Sequence, residues 1–356
     1  MVDAQHTGIK VAFDGERMKN RFTGLYEYCR LLGQSLIDVK NSYDNLLYYV
    51  PADYVGFFGN NVDYSAYKPT HKLFFQKFKA VNVWHMTHQL TSYAPNSKQI
   101  KKVLTIHDLN FLYEKKSEDK IKKYLKLCQK NIDRCDHIVA ISEYAKQDIL
   151  KYLKVNNKPI TVIYNGCKIK EFPEYVTPKY QPQQPFLFSI GVVLPKKNFH
   201  VLPSLLVDNS YELLVAGNAK SDYHLKILDE AEKFGVKNRV KILGAITDED
   251  RYWYFKNCTA FLFPSLAEGF GIPVIEAMHF GKPVFLSTKT SLPEIGGNHA
   301  FYFNSFDLDQ MRDTFEKGMQ QYLETNPMRQ VIEYANRFDW EVSAKKYWEV
   351  YQSLVE

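Results

Sequence analysis

Twelve short runs rich in apolar, β-branched and aromatic residues punctuate this chain, and stretches with helical periodicity follow them. They fall at 9–13, 46–50, 81–86, 103–106, 137–141 and 160–164, then at 186–193, 213–216, 240–243, 260–263, 284–286 and 300–303. Strand and helix in alternation mark βαβ units, because parallel strands can be joined only by a crossover that returns to the same end of the sheet. Between the two sets, 171–185 (EFPEYVTPKYQPQQP) is rich in proline and polar residues and has no apolar period. Such a stretch reads as a linker. The pattern predicts an α/β protein with two doubly wound domains, 1–172 and 186–337, joined by a linker at 173–185. It also predicts a cleft faced by the carboxyl ends of both sheets, where open α/β sheets bind ligands. The last segment, 338–356, carries Tyr347, Val350, Tyr351 and Leu354 at the spacing of one helix face, to pack on its own domain or cross back to the first.

The bulk numbers fit this organisation. A chain of 356 residues exceeds the size at which one core keeps growing, and 45% hydrophobic with 24% charged residues excludes a disordered or fibrous protein. The net charge of +6 is small and scattered, so no nucleic-acid partner is expected. One basic cluster stands out at 115–130 (KKSEDKIKKYLKLCQK), with Ile121, Tyr124, Leu125 and Leu127 interleaved. It reads as a solvated helix face, with docking on an anionic membrane surface as the second reading. Cys29, Cys128, Cys135, Cys167 and Cys258 are odd in number and unpaired in spacing, against a disulfide framework or a zinc site. No signal peptide precedes Ile9 and every apolar run stops well short of ~20 residues. The expectation is a cytoplasmic protein, with association to the membrane's inner face left open; oligomeric state is not legible.

The richest window is 263–276 (FPSLAEGFGIPVIE). Two carboxylates, Glu268 and Glu276, flank a Gly-Phe-Gly turn; Pro273 opens a helix that Gly281 and Pro283 close. A glycine turn running into a helix N-terminus presents unpaired N–H groups and the positive end of the helix dipole, which suits a phosphate. The two glutamates would repel that anion at contact, so their place is on sugar and ribose hydroxyls. Upstream, 191–198 (GVVLPKKN) follows a buried strand, so Lys196 and Lys197 stand at the sheet's carboxyl edge on the side expected for Glu268. A lysine there can neutralise charge on a leaving diphosphate; two solvated lysines is the plainer reading.

The first half offers less. His107 and Asp108 end the run 103–106; a histidine there can donate a hydrogen bond to a substrate, or simply hold a loop. His85, His88 and His107 have no carboxylate or cysteine spacing beside them that would make a metal site. Phe22, Thr23 and Gly24 precede a helical run with Leu25, Tyr28, Cys29, Leu32 and Leu36 on one face. Thr23 can cap it, and Gly24 lets a ligand approach the backbone. Asp248, Glu249 and Asp250 read as helix N-terminal acidity rather than a metal motif.

Taken together, EGFGIPVIE, the upstream PKKN and the later 291–297 (SLPEIGG) resemble the family 4 retaining glycosyltransferases of the GT-B fold, over most of the chain and most closely from 191 to 297. The resemblance implies an N-terminal acceptor-binding domain, a C-terminal nucleotide-sugar domain, and a last helix (FDWEVSAKKYWEVY) that crosses back to the first. It implies that Glu268 contacts donor-sugar hydroxyls, with Gly269, Phe270 and Gly271 near the diphosphate and Glu276 on the ribose. Lys197 matches the family's phosphate-binding lysine, and Lys196 stands where many members have arginine, which trades a bidentate fork for a point charge. Ile246 falls in the loop that lines the base pocket. His107 matches a histidine aimed at the donor sugar, and Gly24 a glycine close to donor and acceptor.

The implied reaction is transfer of a hexose, with retention, to a hydroxyl of a glycan or lipid-linked acceptor in cell-surface polysaccharide or glycolipid synthesis. No metal and no cofactor are expected: the nucleotide-diphosphate sugar is itself the donor substrate. PKKN resembles the RKN form of mannosyltransferase-like members, which tilts the donor towards GDP-mannose over a UDP-sugar. A nucleotide-sugar epimerase of the same fold and a non-catalytic nucleotide-sugar-binding subunit are the rivals; EGFGIPVIE and PEIGG favour the transferase over the first, and Glu268, Lys197 and His107 together over the second.

Overall fold

In a computed structural model, residues 8–21, 23–72, 75, 78, 80–114, 116–170, 177–219 and 221–356 are described. The chain divides into two compact units, Met1–Gly166 with Asp339–Glu356, and Cys167–Phe338. In the first unit the strands are β1 Lys10–Asp14, β2 Asn45–Val50, β3 Asp63–Ala66, β4 Val83–Met86, β5 Lys101–Ile106, β6 His137–Ala140 and β7 Ile160–Val162. In the second they are β8 Phe186–Ile190, β9 Glu212–Ala216, β10 Val240–Gly244, β11 Ala260–Phe263, β12 Val284–Ser287 and β13 Phe301–Phe303.

Both sheets are parallel throughout, in the orders β3-β2-β1-β4-β5-β6-β7 and β10-β9-β8-β11-β12-β13. These are two Rossmann-like domains, and the fold is GT-B. In the first unit Val11 and Phe13 point to one core and Ala12 to another; Leu46, Tyr48 and Val50 likewise oppose Leu47 and Tyr49. A sheet covered on both faces needs near-continuous apolar strands, which is why the runs showed no alternation. The short edge strand β3 went unread: its sequence DYSA is polar and half-buried or exposed, and only pairing with β2 identifies it. Of the linker, 177–185 contains neither strand nor helix; 173–176 lie outside the described residues, as do Phe22 and Lys115.

The last helix, Trp340–Ser353, lies in the first unit. Its seat is a buried polar network. The Tyr347 hydroxyl meets Tyr28 at 2.8 Å and Thr105 at 3.0 Å. His85 joins Thr105 through Nε2 at 2.8 Å and Tyr351 through Nδ1 at 2.7 Å, and the Trp348 indole donates to the Leu36 carbonyl. With every member partnered, such a network fixes the helix register rather than merely burying it.

Burial holds three histidines of this unit uncharged. Desolvation pulls His85 down to about 3 and His107 to about 4, and pulls His88 well below its ordinary value. The unfolded chain titrates near ~6.5 and so binds more protons in the window below that, which removes stability as pH falls, at most ~1.4 kcal/mol per pH unit for each histidine. Asp14 has the opposite sign. Burial first, then Glu16, raises it to about 7, so its folded form holds the extra proton between pH 4 and 7. Three histidines outweigh one carboxyl, so urea unfolding at pH 4.5 should have a lower midpoint than at pH 6.5, and Asp14→Asn should steepen that loss. Intrinsic fluorescence weights this unit, which holds Trp84, Trp340 and Trp348 against Trp253 in the second; a flat pH profile would contradict the assignment.

Candidate functional site

In the second unit β8 and β11 are neighbours, although the chain leaves them towards opposite edges of the sheet. That reversal opens a crevice at their carboxyl ends. The segment after β8 makes a single turn at Pro195–Lys197, and the segment after β11 carries Ser265 to Glu268. Across the crevice, Lys197 Nζ stands 2.5 Å from Glu268 Oε1 and 4.7 Å from the Phe263 ring centroid. Both partners are nearly buried, at 11% and 14% side-chain exposure. The two segments are also stitched through their backbones: the Lys196 carbonyl accepts from the Leu266 N–H at 2.7 Å and from the Ser265 hydroxyl. Asn198, at φ 58°, closes the lysine turn in the left-handed region that asparagine tolerates. This explains the last letter of PKKN.

Gly269 and Phe270 follow Glu268 into the helix Ile272–His279, with Gly271 before it at φ 113°, where a side chain would be strained. Phe270 is buried against Phe338, with ring centroids 5.9 Å apart. The SLPEIGG block has a structural role here. The buried Ser291 hydroxyl reaches the carbonyls of Glu268 and Phe270 at 3.1 and 3.0 Å, while Thr290 Oγ1 accepts the Glu268 N–H at 2.9 Å. Sequence reasoning placed neither residue at the loop, because the contact spans more than twenty positions.

Glu276 lies one turn into that helix, 4% exposed, with Oε1 3.3 Å from Arg251 Nη2. Arg251 also reaches Asp248 at 3.0 Å, and its Nε is buried without a hydrogen-bond partner among the described residues. Burial works against the guanidinium charge, yet Glu276, Tyr252 and Asp248 hold it above the ordinary arginine value. Arg251 was missed, hidden behind a triplet that reads as helix N-terminal acidity. The triplet does begin a helix, Asp248–Asn257, capped by Thr247 on the Asp250 N–H. Ile246, half-buried, sits between β10 and that cap.

In the first unit Gly24 begins the helix Gly24–Val39 behind its Thr23 cap, which accepts the Tyr26 N–H at 3.2 Å. A Cβ added at Gly24 would meet nothing within 4 Å. Packing within the protein therefore does not demand glycine there. His107 follows β5, 7% exposed, stacked edge-on against Tyr28 at 4.5 Å. Its Nε2 lies 2.8 Å from the Thr87 carbonyl, which can only accept, so Nε2 carries the proton. A neutral ring then leaves Nδ1, the nitrogen not spent on Thr87, as an acceptor, whereas the sequence reading had this histidine donate. His85 spends both ring nitrogens on Thr105 and Tyr351, and His88 Nδ1 faces Arg17 Nη2 at 2.9 Å. Among the described residues, no group of three or more His, Cys, Asp or Glu is gathered for a metal.

Two other sequence readings resolve locally. In the helix Glu118–Arg134, Tyr124 and Leu125 pack on the core, leaving Lys120, Lys122, Lys123, Lys126 and Lys130 outward. No described helix is long and apolar enough to cross a membrane. Of the loop aromatics, Phe58, Tyr93 and Phe111 are buried, and Phe57 and Tyr113 are exposed.

The family model for glycosyl transferases group 1 matches 177–338, and that for glycosyltransferase family 4 matches 41–171. The serotype-specific mannosyltransferase WbdA of Escherichia coli is 28% identical over 242 residues, 62% of this chain and 29% of that enzyme. The chain thus spans less than a third of WbdA. The O-antigen chain mannosyltransferase B of Escherichia coli is 25% identical over 280 residues, covering 72% of this chain and 71% of the enzyme. Among solved structures, Anabaena HepE in complex with UDP-glucose superposes with a TM-score of 0.71 at 16% identity, over 97% of this chain and 100% of HepE; that likeness is one of fold.

A buried pair with one member removed leaves its partner's charge stranded. Lys197→Met should therefore destabilise the second unit by about 1–3 kcal/mol in urea unfolding, and adding Glu268→Gln should recover part of the loss. Strictly additive effects of the two changes would contradict the coupling.

Proposed function

Because this chain belongs to the group 1 glycosyltransferases of the family 4 type, with the GT-B fold, we propose that it transfers a hexose from a nucleotide-diphosphate sugar to a hydroxyl of a glycan or lipid-linked acceptor, with retention, in polysaccharide synthesis. The observation that carries the reading is the Lys197–Glu268 pair at the β8/β11 crevice. A donor entering there exchanges one pairing for two: its diphosphate takes Lys197, and the hydroxyls of its sugar take Glu268. The N-terminal end of the helix Ile272–His279 faces the same turn and adds its dipole.

Breaking the anomeric C–O bond sends the electron pair to the diphosphate, where Lys197, Lys196 and the Gly269–Phe270–Gly271 backbone compensate the growing charge without a metal. The acceptor hydroxyl attacks on the same face, and its proton leaves to the departing phosphate. Glu276, oriented by Arg251, accepts the ribose hydroxyls, and Ile246 lines the base. In the first unit, Gly24 keeps the backbone open and His107 accepts a sugar hydroxyl through Nδ1. GDP-mannose is the favoured donor, supported by the mannosyltransferase names of the relatives and by PKKN. The reading places the protein in the cytoplasm, at the inner face of a membrane. There the outward lysines of Glu118–Arg134 supply electrostatic attraction to anionic lipid, its apolar face being already spent on the core.

In a thermal-shift panel of GDP, UDP, GDP-mannose and UDP-glucose, the guanosine ligands should raise the midpoint most, since a ligand at ~100 times its Kd adds about 2.7 kcal/mol. Lys197→Ala and Glu268→Ala should each lower donor turnover, read as nucleoside-diphosphate release, by about 10²–10³-fold in folded protein. Stabilisation by no nucleotide, or unchanged turnover, would overturn the proposal.

A further inference from the structure

A cavity of about 580 Å³ opens in the first unit, beside the start of the helix Gly24–Val39, whose Tyr26 ring lies 6.1 Å from that of Tyr54 in its wall. Its walls come from the segments leaving β1, β2 and β3: Lys19 and Arg21 from the first, Pro51, Asp53 and Tyr54 from the second, Tyr67 from the third. Three successive carboxyl-terminal exits therefore converge on one hollow, on the β2 side of the place where the strand order reverses. Its size lies in the range of small-molecule sites.

The chemistry of the lining is specific. Lys19 is already paired with Glu16, and its ammonium lies 5.9 Å from the Tyr67 ring centroid. Arg21 is different. Its Nε donates to the Tyr54 hydroxyl at 2.7 Å, with the guanidinium 5.5 Å from the centroid of that ring. Tyr54 is itself 5% exposed and cannot swing away. Arg21 itself is exposed, so the phenol is what orients its guanidinium, and neither terminal amino group of Arg21 hydrogen-bonds to a described residue. A held fork with both outer nitrogens open is the arrangement that takes a phosphate in bidentate fashion, and the Tyr54 and Tyr67 rings offer apolar faces to a sugar ring beside it. Asp53 is the one carboxylate of the lining, and its charge acts on Arg21, so a phosphate there competes with it.

We propose that this cavity binds a phosphorylated sugar, the phosphate-bearing end of the acceptor, with the phosphate on Arg21 and the ring against Tyr54 and Tyr67. The assignment to the acceptor rests on the transfer reading; the binding site does not. An acceptor of this kind must be supplied by a reaction that joins a sugar to phosphate before this protein extends it.

The test is a ligand-observed NMR titration of the full chain in saturating GDP, which keeps the second unit occupied. The probes are mannose 1-phosphate, methyl α-mannoside and glucuronate. Mannose 1-phosphate should bind, at least tenfold more tightly than methyl α-mannoside and more tightly than glucuronate. Arg21→Gln should weaken it at least fivefold, Arg21→Lys should fall between, and the thermal shift with GDP should be unchanged in both variants. Equal binding of mannose 1-phosphate and methyl α-mannoside, or undiminished binding to Arg21→Gln, would overturn the proposal; equal binding of glucuronate would overturn the phosphate assignment. Failure of GDP to stabilise the wild type would instead sink the transfer reading, with the mannose 1-phosphate titration still deciding the cavity.

Discussion

A parallel strand cannot turn straight back, so each crossover in this protein carries the chain to the starting end of the sheet and every exit from a strand lies along one edge. In both units the winding reverses once, between β1 and β4 and between β8 and β11. At that place the exits diverge and leave a crevice that no crossover helix covers. The lysine turn after β8 and the glutamate after β11 meet there because topology brings them, not because they are near in sequence. The same reversal in the first unit sets Arg17, after β1, beside His88, after β4.

Electrostatics follows from that placement. Under the proposed function the crevice receives a diphosphate and needs fixed positive charge, and an unligated protein cannot leave such charge buried and bare. Lys197 is therefore matched by Glu268, and Glu276 by Arg251. In the proposed reading each carboxylate is a resting partner that releases its base when a ligand enters, since ligand hydroxyls satisfy the acid while phosphate satisfies the base. Around them, Ser291 and Thr290 tie down the Glu268–Phe270 backbone, so the exchange takes place on a held loop. That preorganisation is what a charged transition state exploits.

Much of this was legible in the sequence, for physical reasons. Buried parallel strands announce themselves as unbroken apolar runs, and the two reversals follow from the doubly wound class. EGFGIPVIE carried its own turn and helix start within one window, and PKKN its own turn. What escaped depends on contacts between distant segments. Arg251 and Glu276 are twenty-five positions apart, the tautomer of His107 is set by the carbonyl of Thr87, and the edge strand Asp63–Ala66 exists only by pairing with β2. Nothing in the sequence around Arg21 marks it; its bond to Tyr54, thirty-three positions on, does.

The account stands or falls on whether Lys197 meets the diphosphate. Phosphorus NMR of GDP bound to the protein reads this directly, because the β-phosphorus resonance responds to a cation placed against it. The account predicts that binding shifts the β-phosphorus resonance in the wild type and that Lys197→Gln abolishes most of that shift while the protein stays folded. An equal shift in both proteins would contradict it.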